Sequence, residues 1–254
     1  MIRPRIIPTL LISHGNLVKT KKFTNPQYLG DPINAIRIFN EKGVDELCIL
    51  DINASKEKKD PDFELLEKMA SEAFMPLSYG GGKKSVDQIK SLFRIGYEKV
   101  VINTSAIDNL ELVRDASSYF GSQSIVCAVD YKKNIFGTNC YTEDGSKRTR
   151  RSPLETVKGY ELAGAGELLL YAMDRDGMRI GYDYDMIKQV SDAVQIPVIA
   201  CGGAKNISDL KKALEAGANA VAAGSLFVFF GERQAVLINY PEEKELIDNG
   251  IYIK

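Results

Sequence analysis

Gly81-Gly82-Lys83-Lys84 and, 121 residues further on (81 to 202), Gly202-Gly203-Ala204-Lys205 are two copies of one turn, and their spacing decides the fold. Continuing without a gap, Ile89 meets Leu210, Phe93 meets Leu214, Gly96 meets Gly217 and Val100 meets Val221. Asn103-Thr104-Ser105 then falls on Gly224-Ser225-Leu226. Upstream, the same offset pairs Pro32 with Pro153, Gly43 with Gly164 and Glu46-Leu47 with Glu167-Leu168. Self-similarity at a fixed period outranks local readings of secondary structure. Each half holds about four strand–helix units, so the whole predicts one α/β domain over 1–254, a single (β/α)8 barrel with repeats of about 1–121 and 122–254.

Outward from the glycine turns, short apolar runs alternate with segments of helical period, as in a parallel sheet wrapped by helices. Strands are expected near 5–13, 46–51, 75–79, 99–103, 124–130, 167–172, 197–201 and 219–223. An amphipathic helix is expected over 85–95, with Ser85 as N-cap and Val86, Ile89, Leu92 and Phe93 along one face. Its sister is 206–216, starting at Asn206. Two long connections, 14–30 and 131–151, follow the first and fifth strands, on the side where barrel enzymes carry their working loops.

The net charge of −1 offers no field to recruit nucleic acid or a membrane surface. Cys48, Cys127, Cys140 and Cys201 follow no disulfide or metal spacing and read as reduced core residues. Met1-Ile2-Arg3-Pro4-Arg5 leads into no long apolar run, so a cytoplasmic enzyme or enzyme subunit is the expectation.

The chemistry is expected at strand ends. Gly80-Gly81-Gly82 and Cys201-Gly202-Gly203 each close a strand before a helix, where backbone N–H groups approach an anion. In the next unit of each half, Asn103-Thr104 and Gly224-Ser225 add small or hydroxyl-bearing residues. Two such pairs suggest two phosphate sites on opposite sides of one barrel mouth. Asp51, Asp130 and the Asp174-Arg175-Asp176-Gly177 stretch supply carboxylates for acid–base work, Asp130 at the end of a wholly apolar strand. Aligning Ile6-Ile7-Pro8-Thr9-Leu10 with the fifth strand puts Leu11 opposite Asp130, so the first half lacks the counterpart carboxylate. Arg5, Glu46, Lys99 and Glu167 begin strands one, two, four and six. Residues so placed are usually solvated rim charges, though two cations and two anions can also close a neutral ring. His14, the one histidine, reads as a loop residue. The basic Lys147–Arg151 and Lys19–Lys22 stretches are either solvated or placed to capture an anionic substrate.

Several stretches together resemble the cyclase subunit of imidazole glycerol phosphate synthase over essentially the whole chain. They include Arg5-Ile6-Ile7-Pro8, Gly15 with Val18-Lys19, Gly30-Asp31-Pro32, Leu50-Asp51-Ile52 with Ala54-Ser55, and Gly80–Gly82. Others are Val101-Ile102-Asn103, Phe120-Gly121-Ser122-Gln123, Asp174–Gly177 with Gly181-Tyr182-Asp183, and Ile196–Ala200 leading into Gly202-Gly203. The resemblance implies a glutaminase partner on the N-terminal face, near Glu98 and Gln123. Ammonia released there would pass a gate formed by Arg5, Glu46, Lys99 and Glu167 and reach a phosphorylated substrate at the other face. Gly82, Asn103 and Thr104 match one phosphate site, and Gly177, Gly203 and Ser225 fit the other. Lys19 matches a lysine of the mobile loop, with Asp51 and Asp176 also at the substrate. No metal and no cofactor are implied.

The family cyclises its substrate with two aspartates, of which Asp130 matches one and Leu11 replaces the other. A leucine cannot transfer a proton. Tyr171 also stands where the family tends to have a small polar residue. Leu10-Leu11, Gly30–Arg37 and Ala223–Phe229 are similar to a paralogous branch that supplies ammonia for sugar amidation in bacterial surface-polysaccharide assembly, alongside a separate sugar amidotransferase. The alternatives are a histidine-pathway cyclase with a substitute for the lost aspartate, and a non-catalytic scaffold that conducts ammonia.

Overall fold

The computed structural model describes residues 3–135, 137–231 and 233–252. Met1 and Ile2, part of the segment read above for a leader, lie outside the described residues. Eight strands form the barrel: β1 (Arg5–Ser13), β2 (Leu47–Asp51), β3 (Leu77–Gly80), β4 (Lys99–Ile102), β5 (Ile125–Asn134), β6 (Glu167–Ala172), β7 (Val198–Cys201) and β8 (Ala220–Ala223). Each pairs in parallel with the next, and β8 closes on β1 with Arg5 opposite Ala220 and Pro8 opposite Ala223. The helices between them are α1 (Pro32–Lys42), α2 (Phe63–Ser71), α3 (Val86–Arg94), α4 (Leu110–Phe120), α5 (Pro153–Leu162), α6 (Tyr184–Ala193) and α7 (Ile207–Glu215), with α8 (Glu243–Asp248) after β8.

Side chains alternate across each strand. Ile6, Leu10, Ile49, Val100 and Val221 point outward and pack under the helices. Ile7, Cys48, Val101, Val126, Leu169, Ile199 and Ala222 fill the barrel interior. All four cysteines are free and buried. The helices start where capping chemistry allows. Ser85 accepts from the Gln88 N–H at the head of α3, and Asn206 accepts from the Asp209 N–H at the head of α7. Ser152 and Glu155 form a reciprocal capping box around Pro153 on α5.

The two long connections are not loops but extensions of the sheet. After β1, the chain turns at His14-Gly15, both at positive φ, and Asn16–Lys21 runs back antiparallel with Leu11 opposite Val18. It turns again at Lys22-Phe23, also both at positive φ, into a strand over Thr24–Gly30. Two-residue turns of this hand match the twist of a hairpin. His14 is therefore a turn residue, with its exposed ring 3.5 Å from Glu57. β5 likewise overruns its expected end, because Gly137–Thr142 folds back along it with Asp130 opposite Tyr141. Lys147–Arg148 adds a further short strand. Both hairpins stand on the C-terminal rim and wall the mouth.

Candidate active site

At the barrel floor the four strand-start charges meet. The Arg5 guanidinium donates to Glu46 at 2.5 Å and to Glu167 at 2.8 Å. The Lys99 ammonium donates to Glu46 at 3.0 Å and to Glu167 at 3.1 Å. Each cation thus touches both carboxylates, and the ring is neutral. Burial pulls the Arg5 pKa down, but Glu167 and Glu46 outweigh it and hold the guanidinium above its usual range. Glu46, only 2% exposed, also borders a small internal void with room for about one water, lined by Ile7, Cys48, Ser78, Val101, Val126 and Leu169 among others. Val101 and Leu169 also line the pocket at the barrel mouth, so ring, void and pocket follow one another along the axis. Glu98 and Gln123 are exposed immediately before β4 and β5, on this floor side.

The pocket encloses about 760 Å³. Gly81, Gly82, Asn103 and Thr104 form one side, while Leu11, Asp51, Asp130, Asp144, Lys83 and Tyr171 complete much of the rest. Gly82 has φ of +67° and lies so close to the chain opposite that a Cβ would sit 2.6 Å from the Lys59 carbonyl, which excludes every other residue. Asp130 is buried and accepts a hydrogen bond from the Asn103 amide at 2.5 Å. Burial, reinforced by Asp144 and opposed by Asn103, pushes its carboxyl up to about 8, so it is protonated at neutral pH. Leu11 lines the same pocket with its apolar side chain, leaving that wall without a carboxylate.

Two pocket residues escaped the sequence reading. Lys83 is buried, donates to the Tyr79 carbonyl at 3.2 Å and lies 4.7 Å from the centre of the Tyr79 ring. Burial drives its pKa down to about 7, with Asp51 partly offsetting. Asp144 is delivered by the tip of the β5 hairpin, where the neighbouring Glu143 N–H donates to the Thr104 hydroxyl at 3.1 Å. Burial raises Asp144 to about 7, opposed by Lys56 and reinforced by Asp176 and Asp51. A short glycine-rich turn followed by lysine was the available signal for Lys83. Asp144-Gly145 reads only as turn chemistry.

The second glycine corner is built differently. Asp176, Gly177, Gly202, Gly203, Gly224 and Ser225 border a separate, much smaller recess. A Cβ on Gly203 would run into the Gly181 carbonyl. Lys19 does not reach over the mouth as expected of a mobile, solvent-facing lysine. It is buried and its ammonium sits 2.6 Å from Asp176, which also accepts from the Thr20 and Tyr171 hydroxyls at 2.6 and 3.0 Å. Leu17 and Val18 anchor its hairpin in the core, and that anchoring carries Lys19 inward. The basic side chains of Lys147, Arg148, Arg150 and Arg151 are exposed and do not line the pocket, so the solvated reading holds for them.

The fold and this geometry define the class: a (β/α)8 barrel with a ligand-sized pocket at its C-terminal mouth and a closed charged ring beneath it. Residues 5–233 match the family described as histidine biosynthesis protein. The chain is 49% identical over 248 residues to the "Putative imidazole glycerol phosphate synthase subunit hisF2" of Pseudomonas aeruginosa, covering 97% of this chain and 99% of that one. It is 47% identical over 252 residues to the "Putative imidazole glycerol phosphate synthase subunit HisF" of Leptospira interrogans, with 97% and 99% covered. Against the imidazole glycerol phosphate synthase subunit HisF of Petrotoga mobilis, identity is 40% over 229 residues, with 89% and 91% covered. The chain therefore belongs to the histidine biosynthesis protein family, as a HisF-like subunit.

Proposed function

We propose that this barrel is the ammonia-accepting subunit of a cytoplasmic glutamine amidotransferase and serves sugar amidation rather than efficient imidazole glycerol phosphate synthesis. A glutaminase docks on the floor face, near Glu98 and Gln123. Ammonia enters through the Arg5–Glu46–Lys99–Glu167 ring, crosses the axial void and meets a phosphorylated substrate in the mouth pocket. Gly81, Gly82, Asn103 and Thr104 hold a phosphate there. The observation that carries this reading is the combination of a complete ring and axial route with a pocket whose second acid–base position is Leu11. A machine for moving ammonia is intact, while the cyclising pair is not. The released ammonia passes to a separate sugar amidotransferase.

The test is turnover of the purified chain with the histidine-pathway bisphosphate intermediate and ammonium chloride, without any glutaminase. The expected rate lies orders of magnitude below that of a relative with both aspartates, since general acid–base groups contribute about 10²–10⁴-fold each. A rate equal to that relative's would overturn the reading. The membership of Asp144 in the pocket favours one alternative, in which this carboxyl substitutes for the missing aspartate and the chain remains a cyclase. Asp144→Asn distinguishes the two: it abolishes any residual turnover only on the cyclase reading.

A further inference from the structure

The pocket's walls say what shape and charge of molecule it receives. Tyr171 is the one residue bordering both the mouth pocket and the second glycine corner. It is held from two sides, with its hydroxyl donating to Asp176 at 3.0 Å and its ring edge-on to Phe23 at 4.8 Å. Behind it the corner has room for about one water, and the chain already fills it. The Lys19 ammonium lies 3.4 Å from where a Gly224 Cβ would be, and its ion pair with Asp176 is buried on both sides. A phosphate entering there must take Lys19 from Asp176 and leave that carboxylate buried without its cation, which is strongly unfavourable.

The space that remains is acidic. Asp51, Asp130 and Asp144 line it, against the single cation Lys83, whose ammonium already faces the Tyr79 and Gly81 carbonyls. A second phosphate beside these carboxyls is repelled, whereas hydroxyl groups donate to them.

We infer that the site takes a substrate with one phosphate on a hydroxyl-rich body, the second phosphate corner being closed by Tyr171 and the Lys19–Asp176 pair. The phosphate end rests on the reading proposed above, while the exclusion of a second phosphate stands on the partition alone. It separates this chain's substrate from any bisphosphate that spans the mouth.

Isothermal titration calorimetry of the full chain with inorganic phosphate, ribose 5-phosphate and ribulose 1,5-bisphosphate tests this. Ribose 5-phosphate is expected to bind about tenfold tighter than inorganic phosphate, through hydroxyl contacts. The bisphosphate is expected to gain no more than about threefold over ribose 5-phosphate. Asp144→Asn weakens ribose 5-phosphate by about fivefold and leaves inorganic phosphate unchanged. A larger gain for the bisphosphate, or equal binding of ribose 5-phosphate and inorganic phosphate, overturns the inference while leaving ammonia delivery untouched. Unaltered ribose 5-phosphate affinity in Asp144→Asn overturns the role given to the carboxyls. Failure of all three probes to bind removes the phosphate corner itself. Failure of ammonia transfer with the sugar phosphate still bound would instead remove only the proposed function.

Discussion

The two ends of the barrel each gather charged groups, and they treat them in opposite ways. At the floor, Arg5 and Lys99 each contact both Glu46 and Glu167, so every charge is compensated by geometry. At the mouth, Asp51, Asp130, Asp144 and Lys83 share a pocket without pairing in that manner, and burial shifts Asp130 and Asp144 up and Lys83 down, each toward its neutral form. Pairing keeps a charge in place at every ordinary pH. Desolvation lets it titrate. The floor is thus a fixed structure and the mouth a pH-responsive one, and the two should fail differently when disturbed.

The largest effect is expected at the floor. Glu46→Gln keeps the shape of the side chain but leaves Arg5 and Lys99 sharing one carboxylate, at a cost of about 3 kcal/mol. For a chain of this size that is roughly a 6–12 °C fall in Tm. The loss should persist across pH 6–9 in denaturant or thermal unfolding. A loss below about 0.5 kcal/mol, the range of surface substitutions, would mean that the ring is no more than a set of rim charges.

At the mouth the sign depends on pH. Folded Asp130 titrates near 8 and an unfolded aspartate near 3.9, so between those values the folded state holds the extra proton. Stability from this group is complete below the lower value and is lost as pH rises toward 8. Asp130→Asn removes the dependence. It should unfold like the parent near pH 4 and be more stable by about 2 kcal/mol at pH 8 to 9, measured by urea unfolding at both pH values. An unchanged difference between the two would show that Asp130 is ionised throughout. Lys83 runs the other way. Its folded pKa near 7 lies below the unfolded value near 10.4, so its contribution is present at high pH and falls as pH drops through that window. Lys83→Met should therefore flatten the opposite slope, by about 1 kcal/mol between pH 10 and pH 7. Equal slopes in parent and variant would place the Lys83 ammonium in contact with solvent.

What the sequence disclosed follows the range of the interactions involved. The barrel stems were legible because alternation along a strand and glycine at a turn are local, and the offset of the glycine turns repeated the message. Ser85 and Asn206 could be read as caps for the same reason. The floor ring was legible only through the family resemblance, since a charge at a strand start looks solvated until its partners, as far away as Glu167 from Arg5, are known. Lys19 was misjudged because its partner Asp176 lies on the far side of the barrel, and nothing near a lysine in sequence signals such a partner. The hairpins after β1 and β5 were taken for loops because their strands are short and polar on one face. Their pairing comes from edges that β1 and β5 offer beyond the barrel. Asp144 belongs to the same class, as its place in the pocket depends on the turn docking at Thr104.

The smallest expected effect bears on the boundary between the two glycine corners. Tyr171→Phe deletes the hydroxyl that donates to Asp176 but keeps the ring that stacks on Phe23. Asp176 retains Lys19 and Thr20, so the carboxylate is not stranded and the cost should be about 1 kcal/mol. Because the partition is made by the ring, the phenylalanine variant should keep the second corner shut. Its preference between ribose 5-phosphate and ribulose 1,5-bisphosphate should match the parent's. Tyr171→Ala removes the ring as well and should raise the affinity for the bisphosphate alone. If the phenylalanine variant already gains for the bisphosphate, the hydroxyl's hold on Asp176 is what keeps the corner closed, and the mouth resembles the floor in depending on charge pairing rather than on packing.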